Sequence, residues 1–187
     1  MGTMIKNGQD VISFLKSQHQ DVKQMLEDVL STSGDARTKA FIALRRTIAV
    51  HETAEEEIVH PAARKAIPNG DAIVEARLRE EKQGKQVLAD LEKLDVDSAD
   101  FEEKFQSFKK AVLAHAEAEE KEEFDKLADK LEPARLERMK KAVKLAESVA
   151  PTRPHPGVES ATGNILAGPF ASMVDRSRDA LSDKTKH

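Results

Sequence analysis

Two segments of the chain repeat each other: HETAEEE over residues 51–57 and HAEAEEK over 115–121 each set a histidine four residues ahead of a glutamate. On a helix this spacing places both side chains on one face. The residues around both pairs are apolar at helical spacing, so each pair points into a core, a costly placement unless something binds there.

The composition fits helices. Only 8 Gly and 7 Pro interrupt 187 residues, charged residues reach 34%, and every aromatic residue is Phe, the make-up of an all-α protein of one domain plus appendages. No apolar run approaches the roughly 18 residues of a membrane span, and no leader-like start precedes a cleavage site. The expectation is a cytoplasmic protein without a membrane partner. Cysteine is absent, which excludes disulfides, thiolate sites and a Cys nucleophile and leaves His and carboxylates as ligands. The net charge of −4 is spread over mixed-sign runs, so nucleic acid is not an expected partner.

Punctuation residues divide the chain into long helices. The first is expected from an Asp10 cap to about Leu30, and the second from Asp35 through the first motif to about Ala66, stopped by Pro68, Asn69 and Gly70. Asp71 is expected to open the third, which runs to about Leu94. A capping box of Asp100 and Glu103 starts the fourth, ending near residues 127–130. Pro133 begins an amphipathic accessory helix carrying Leu136, Met139, Val143 and Leu145. The expected division is a four-helix bundle over 8–130, the accessory helix within 131–150, and a Pro-rich linker with a tail helix over 151–187. In that tail Phe170, Met173, Val174 and Leu181 give residues 169–184 one apolar face, suited to docking on the bundle, a partner or a second copy.

Following the buried stripe of each bundle helix gives Leu15, His19, Val22, Leu26 and Val29 in the first, and Phe41, Leu44, Ile48, His51, Glu55 and Ile58 in the second. The third carries Val74, Leu78, Glu81, Lys85 and Leu88, and the fourth Phe101, Phe105, Phe108, Val112, His115 and Glu119. In an up-down bundle at about 1.5 Å per residue, His19, Glu81, Glu55 and Glu119 all fall roughly 14–16 Å from one end, with His51 and His115 about a turn further in. Three histidines and three glutamates thus meet in one layer. Such a layer would leave carboxylates unpaired without a cation, and two ions resolve this, with iron the best fit and manganese or zinc accommodated by the same donors. The alternative is a metal-free layer in which the histidines and Lys85 satisfy the carboxylates.

His19, then His51 with Glu55, then His115 with Glu119 match in order and spacing the signature of the hemerythrin-like proteins with the HHE cation-binding domain, and HETAEEEIVHP resembles its actinobacterial version. The resemblance covers about residues 8–130. It implies a four-helix bundle around a non-heme di-iron centre bridged by oxygen and carboxylates, used for oxygen binding, sensing, iron handling or peroxide removal. On this reading His19, His51 and His115 are terminal ligands, and Glu55 and Glu119 bridge or chelate. The chain departs from the signature on the third helix, where histidine is expected and Glu81 and Lys85 stand instead. Glu81, with Glu80 as the alternative in register, then fills the place of the missing imidazole, and this more anionic set weakens the case for reversible oxygen carriage.

Gly84, beside this site, reads as an opening for a small ligand. His60 falls about 180° from His51 and reads as a surface residue or one standing behind the ligands. The Glu55–57 and Glu119–123 runs read as solvated faces apart from Glu55 and Glu119, with Glu122 a weaker inward candidate. His155 and His187 carry no weight. The expected function is binding or sensing of a small oxidant such as dioxygen, peroxide or nitric oxide. A catalase- or peroxidase-like enzyme is the alternative, and a metal-free interaction protein the third reading.

Overall fold

The computed structural model describes residues 10–150. The expected tail linker and the tail helix at 169–184 lie outside the described residues. Among the described residues five helices form: α1 (Val11–Ser31), α2 (residues 34–66), α3 (Gly70–Leu91), α4 (residues 99–130) and α5 (Pro133–Val149). The first four run up and down as a bundle. α5 lies against α1 and α2, burying Leu136, Met139, Val143 and Ala146.

The helix starts follow local chemistry. Asp10 caps α1 as its carboxylate accepts from the Ser13 amide at 2.8 Å. The caps of α2, α3 and α4 fall two residues ahead of the expected ones. Ser33 stands before α2 in place of Asp35, and Ser98 rather than Asp100 caps α4, its hydroxyl accepting from the Phe101 amide at 3.2 Å. Asn69, in the left-handed conformation at φ 57°, precedes α3 in place of Asp71. This turn folds so tightly that a Cβ on Gly70 would sit 2.4 Å from the Ala63 carbonyl oxygen and 2.9 Å from the Arg64 Cα. Only glycine fits there.

Both motif-bearing helices change their winding just after the motif. α2 comprises Gly34–Ala54, a π-helical Glu55–Val59, and His60–Ala66; α4 comprises Ala99–Glu119, a π-helical Glu120–Phe124, and Asp125–Lys130. The His60 amide bonds the Glu55 carbonyl and the Asp125 amide bonds the Glu120 carbonyl, each five residues back. A π-turn accommodates one extra residue, so all that follows is rotated by about 100° relative to a continuous α-helix.

The apolar interior is split in two. One cluster gathers Val11, Leu15, Ala54, Val59, Val74, Phe124 and Leu127 with the inner face of α5. The other contains Val22, Leu26, Leu44, Leu88 and the rings of Phe41, Phe101, Phe105 and Phe108, where Phe41 meets Phe101 edge-on at 5.2 Å. Between them lies a layer of buried polar side chains. No described helix is long and apolar enough to cross a membrane.

Candidate metal centre

All six residues expected in the polar layer are brought together. His19, His51, Glu55 and Glu119 offer donor atoms within 4.8 Å of one another, as do Glu81, His115 and Glu119. Glu119 belongs to both groups. Glu81 rather than Glu80 faces inward, buried to 1% exposure.

A third group, His60, Glu119 and Glu123, meets the same distance limit and corrects the surface alternative for His60 and the solvated-face reading of Glu123. His60 is only 2% exposed and Glu123 is fully buried. The π-turns account for both placements. With one residue accommodated in the turn, His60 takes the position four residues after Glu55, about 40° round the helix, where a continuous α-helix would put it about 140° away. The second turn likewise carries Glu123 back toward the His115 stripe. The remaining candidate, Glu122, stays on the surface near Arg77.

The signal for His60 was present in the repeat. Aligning HETAEEEIVH with HAEAEEKEEF pairs His60 with Phe124, a fully buried core residue. Pro61, which lacks an amide hydrogen, also marks where the α-ladder breaks.

The four imidazoles share one arrangement, each with its Nδ1 held by a neighbouring side chain, which for His60 is Glu123 of the third group, and its Nε2 turned inward. His19 Nδ1 is 2.9 Å from Glu120, His51 Nδ1 2.9 Å from Gln18, His60 Nδ1 2.9 Å from Glu123, and His115 Nδ1 2.8 Å from Glu80. Inside, His51 Nε2 lies 3.1 Å from Glu55, His60 Nε2 2.7 Å from Glu81, and His19 and His115 Nε2 3.4 and 3.7 Å from Glu119. Outer partners of this kind fix the tautomer of a metal-binding histidine. The His19 ring also stacks on Phe124 at 5.6 Å.

The carboxylates are under-satisfied. Both oxygens of Glu55, both of Glu119 and one each of Glu81 and Glu123 are buried and accept no hydrogen bond. Burial, together with the Glu119 charge, pushes the Glu55 carboxyl well above the usual range. Burial would raise Glu119 too, but His19, His115 and His60 outweigh it and bring that group down to about 2. Burial likewise opposes charge on the imidazoles. It and the neighbouring His19 depress His51 to about 3, whereas Glu119 and Glu55 lift His19 to about 9. Glu81 and Glu123 lift His60, and Glu80 and Glu119 lift His115, against the same burial. Protons on imidazole thus supply positive charge that the carboxylates demand.

Two further buried groups border the layer. Lys85 pairs with Glu56 rather than with a carboxylate of the cluster, and Glu52 is buried beside them. Burial, partly offset by the Lys85 charge, raises Glu52 well above its usual range and brings Glu56 to about 7. Neither glutamate was expected inside. At Gly84 an added Cβ would meet Phe108 at 3.9 Å, an ordinary contact.

A bundle whose helices converge buried imidazoles and under-satisfied carboxylates on one layer defines a helical metal-binding protein. The chain belongs to the hemerythrin family: the model of the hemerythrin HHE cation binding domain matches residues 10–127. The fold is similar to the crystal structure of a hemerythrin HHE cation binding domain-containing protein from Mycobacterium kansasii, with a TM-score of 0.65 and 19% identity over 74% of this chain and 85% of that one. No curated protein matched the sequence.

Proposed function

We propose that this protein holds two metal ions, with iron the best fit, and uses them to bind or sense a small oxidant such as dioxygen, peroxide or nitric oxide. The observation that carries this reading is the set of six buried carboxylate oxygens without hydrogen bonds among four inward-facing imidazole nitrogens. Hard and borderline divalent or trivalent ions match such oxygen and imidazole donors.

His19, His51 and Glu55 would hold one ion and Glu81 and His115 the other, with His60 Nε2 beside Glu81 at 2.7 Å and Glu119 within reach of both groups. His60 then supplies the imidazole that the third helix lacks, so the donor set is less anionic than the signature residues alone suggest. Bound iron would contribute redox chemistry and open coordination positions. The protein's own part is positional: Gln18, Glu120, Glu123 and Glu80 orient the rings, and the two apolar clusters exclude bulk water.

The test is elemental analysis of protein purified without chelators and after anaerobic reconstitution with ferrous iron, with absorption spectra before and after dioxygen or hydrogen peroxide. The chain has no Tyr and no Trp, so near-ultraviolet charge-transfer bands stand clear of protein absorption. About two irons per chain with oxidant-dependent bands is the expected result. No uptake after reconstitution overturns the reading, and sustained oxygen release from peroxide would replace sensing with a peroxide-removing enzyme.

A further inference from the structure

The fifth helix lies beyond the residues matched by the family model, yet it reaches the polar layer through one chain of hydrogen bonds. The Glu147 carboxylate on α5 accepts from Gln18 Nε2 at 2.6 Å, and Gln18 Oε1 stands 2.9 Å from His51 Nδ1. The direction of this chain is fixed from its outer end. A carboxylate only accepts, so the Gln18 amide must turn its NH2 group toward Glu147 and its carbonyl toward the ring. The carbonyl only accepts in turn, so His51 must carry its proton on Nδ1. The Nε2 lone pair is then left pointing at the cluster, 3.1 Å from Glu55 and 3.1 Å from His19.

We infer that Glu147 is a positioning residue of the metal centre, acting through the Gln18 amide to hold His51 in its metal-binding tautomer. This inference rests on the two-ion reading above. It makes α5 more than a cover: burial of Leu136, Met139, Val143 and Ala146 against the bundle seats the carboxylate that sets the polarity of Gln18. Docking of the accessory helix and readiness of His51 for a metal are therefore one event.

The test uses the full chain with Glu147→Gln and Glu147→Lys, which are similar in length but opposite in what they allow. Glutamine can still accept from Gln18. Lysine only donates, so it requires the amide to turn over, presents NH2 to the ring and drives the His51 proton to Nε2. The readouts are zinc affinity by competition with a chromophoric chelator and the ring-nitrogen NMR shifts of His51 in metal-free protein.

Glu147→Gln is expected to bind zinc within about threefold of the parent protein. Glu147→Lys is expected to weaken one of two zinc ions by about 10–100-fold and to exchange the His51 tautomer. If both variants match the parent in affinity and tautomer, or lose affinity equally with the same fall in melting temperature, the inference is wrong. Where Glu147→Lys does not fold, Gln18→Met decides: His51 should lose its single tautomer, and retention of Nδ1–H overturns the proposal. If the parent protein takes up neither zinc nor ferrous iron, the metal reading fails, and the His51 shifts alone decide the positioning role.

Discussion

The Nε2 atoms of His19 and His51 face each other across 3.1 Å in the protein interior. With each Nδ1 already held by an outer side chain, two neutral rings would oppose lone pair to lone pair at that distance. A proton must lie between them when no ion does, and the opposite shifts of the pair, His19 up to about 9 and His51 down to about 3, assign it to His19. Protons and metal ions thus compete for the same place.

That competition sets a pH dependence. His19, raised to about 9 from 6.5, contributes stability that is full below pH 6.5 and lost as pH rises toward 9; His51, depressed to about 3, contributes stability present above pH 6.5 and lost as pH falls toward 3. Metal-free protein should therefore lose the His19 contribution as pH rises above 6.5 and the His51 contribution as pH falls below it. Metal uptake must expel the His19 proton, so affinity should rise from pH 6.5 to 9. Melting curves of metal-free and zinc-loaded protein across pH 4–9.5 check both, and a gap that fails to widen above pH 6.5 argues against the competition.

His60→Phe reproduces the residue at the matching place of the second repeat, Phe124. It is expected to reduce bound metal from about two ions per chain to about one. Because Glu81 and Glu123 both lose a buried partner, it should also lower metal-free stability by about 3–5 kcal/mol. Metal analysis and urea unfolding measure the two effects separately.

Lys85→Met removes the ammonium that faces Glu52 and Glu56 in the interior. Breaking one side of such a buried arrangement costs about 3–5 kcal/mol. Adding Glu56→Gln should restore part of the loss, a coupling that a double-mutant cycle reads directly. Additive losses would show that the pair does not act as a unit.

Two glycines should respond in opposite directions. Gly84→Ala places a Cβ at ordinary contact distance from Phe108 and should stabilise the protein by about 0.5–1 kcal/mol. Gly70→Ala forces a Cβ into the Ala63 carbonyl and should cost about 1–3 kcal/mol. Thermal unfolding of the two variants decides, and equal effects would contradict the geometry of the α2–α3 turn.

The four bundle helices, their buried stripes and the level at which His19, His51, Glu55, Glu81, His115 and Glu119 meet were legible because α-helical spacing repeats faithfully along most of the chain. His60 and Glu123 were not, because His60 lies just past one π-turn and Glu123 within the other, where counting at 100° per residue loses register. Glu52 and Glu56 escaped for a different reason. Their burial depends on Lys85 arriving from α3, a pairing between distant segments that no local pattern announces. The outer partners Gln18, Glu80, Glu120 and Glu147 are similarly hidden, since partial burial on a helix flank leaves no periodic trace.

The split interior gives the molecule a seam. Among the described residues the two apolar clusters are separate, the charged layer lies between them, and one of them carries the added cover of α5. Ions seated in that layer would act as rivets, fastening two half-cores that otherwise meet across a stratum of protons and carboxylates. Metal loading would then couple the two ends of the bundle, which the protonated layer joins less firmly.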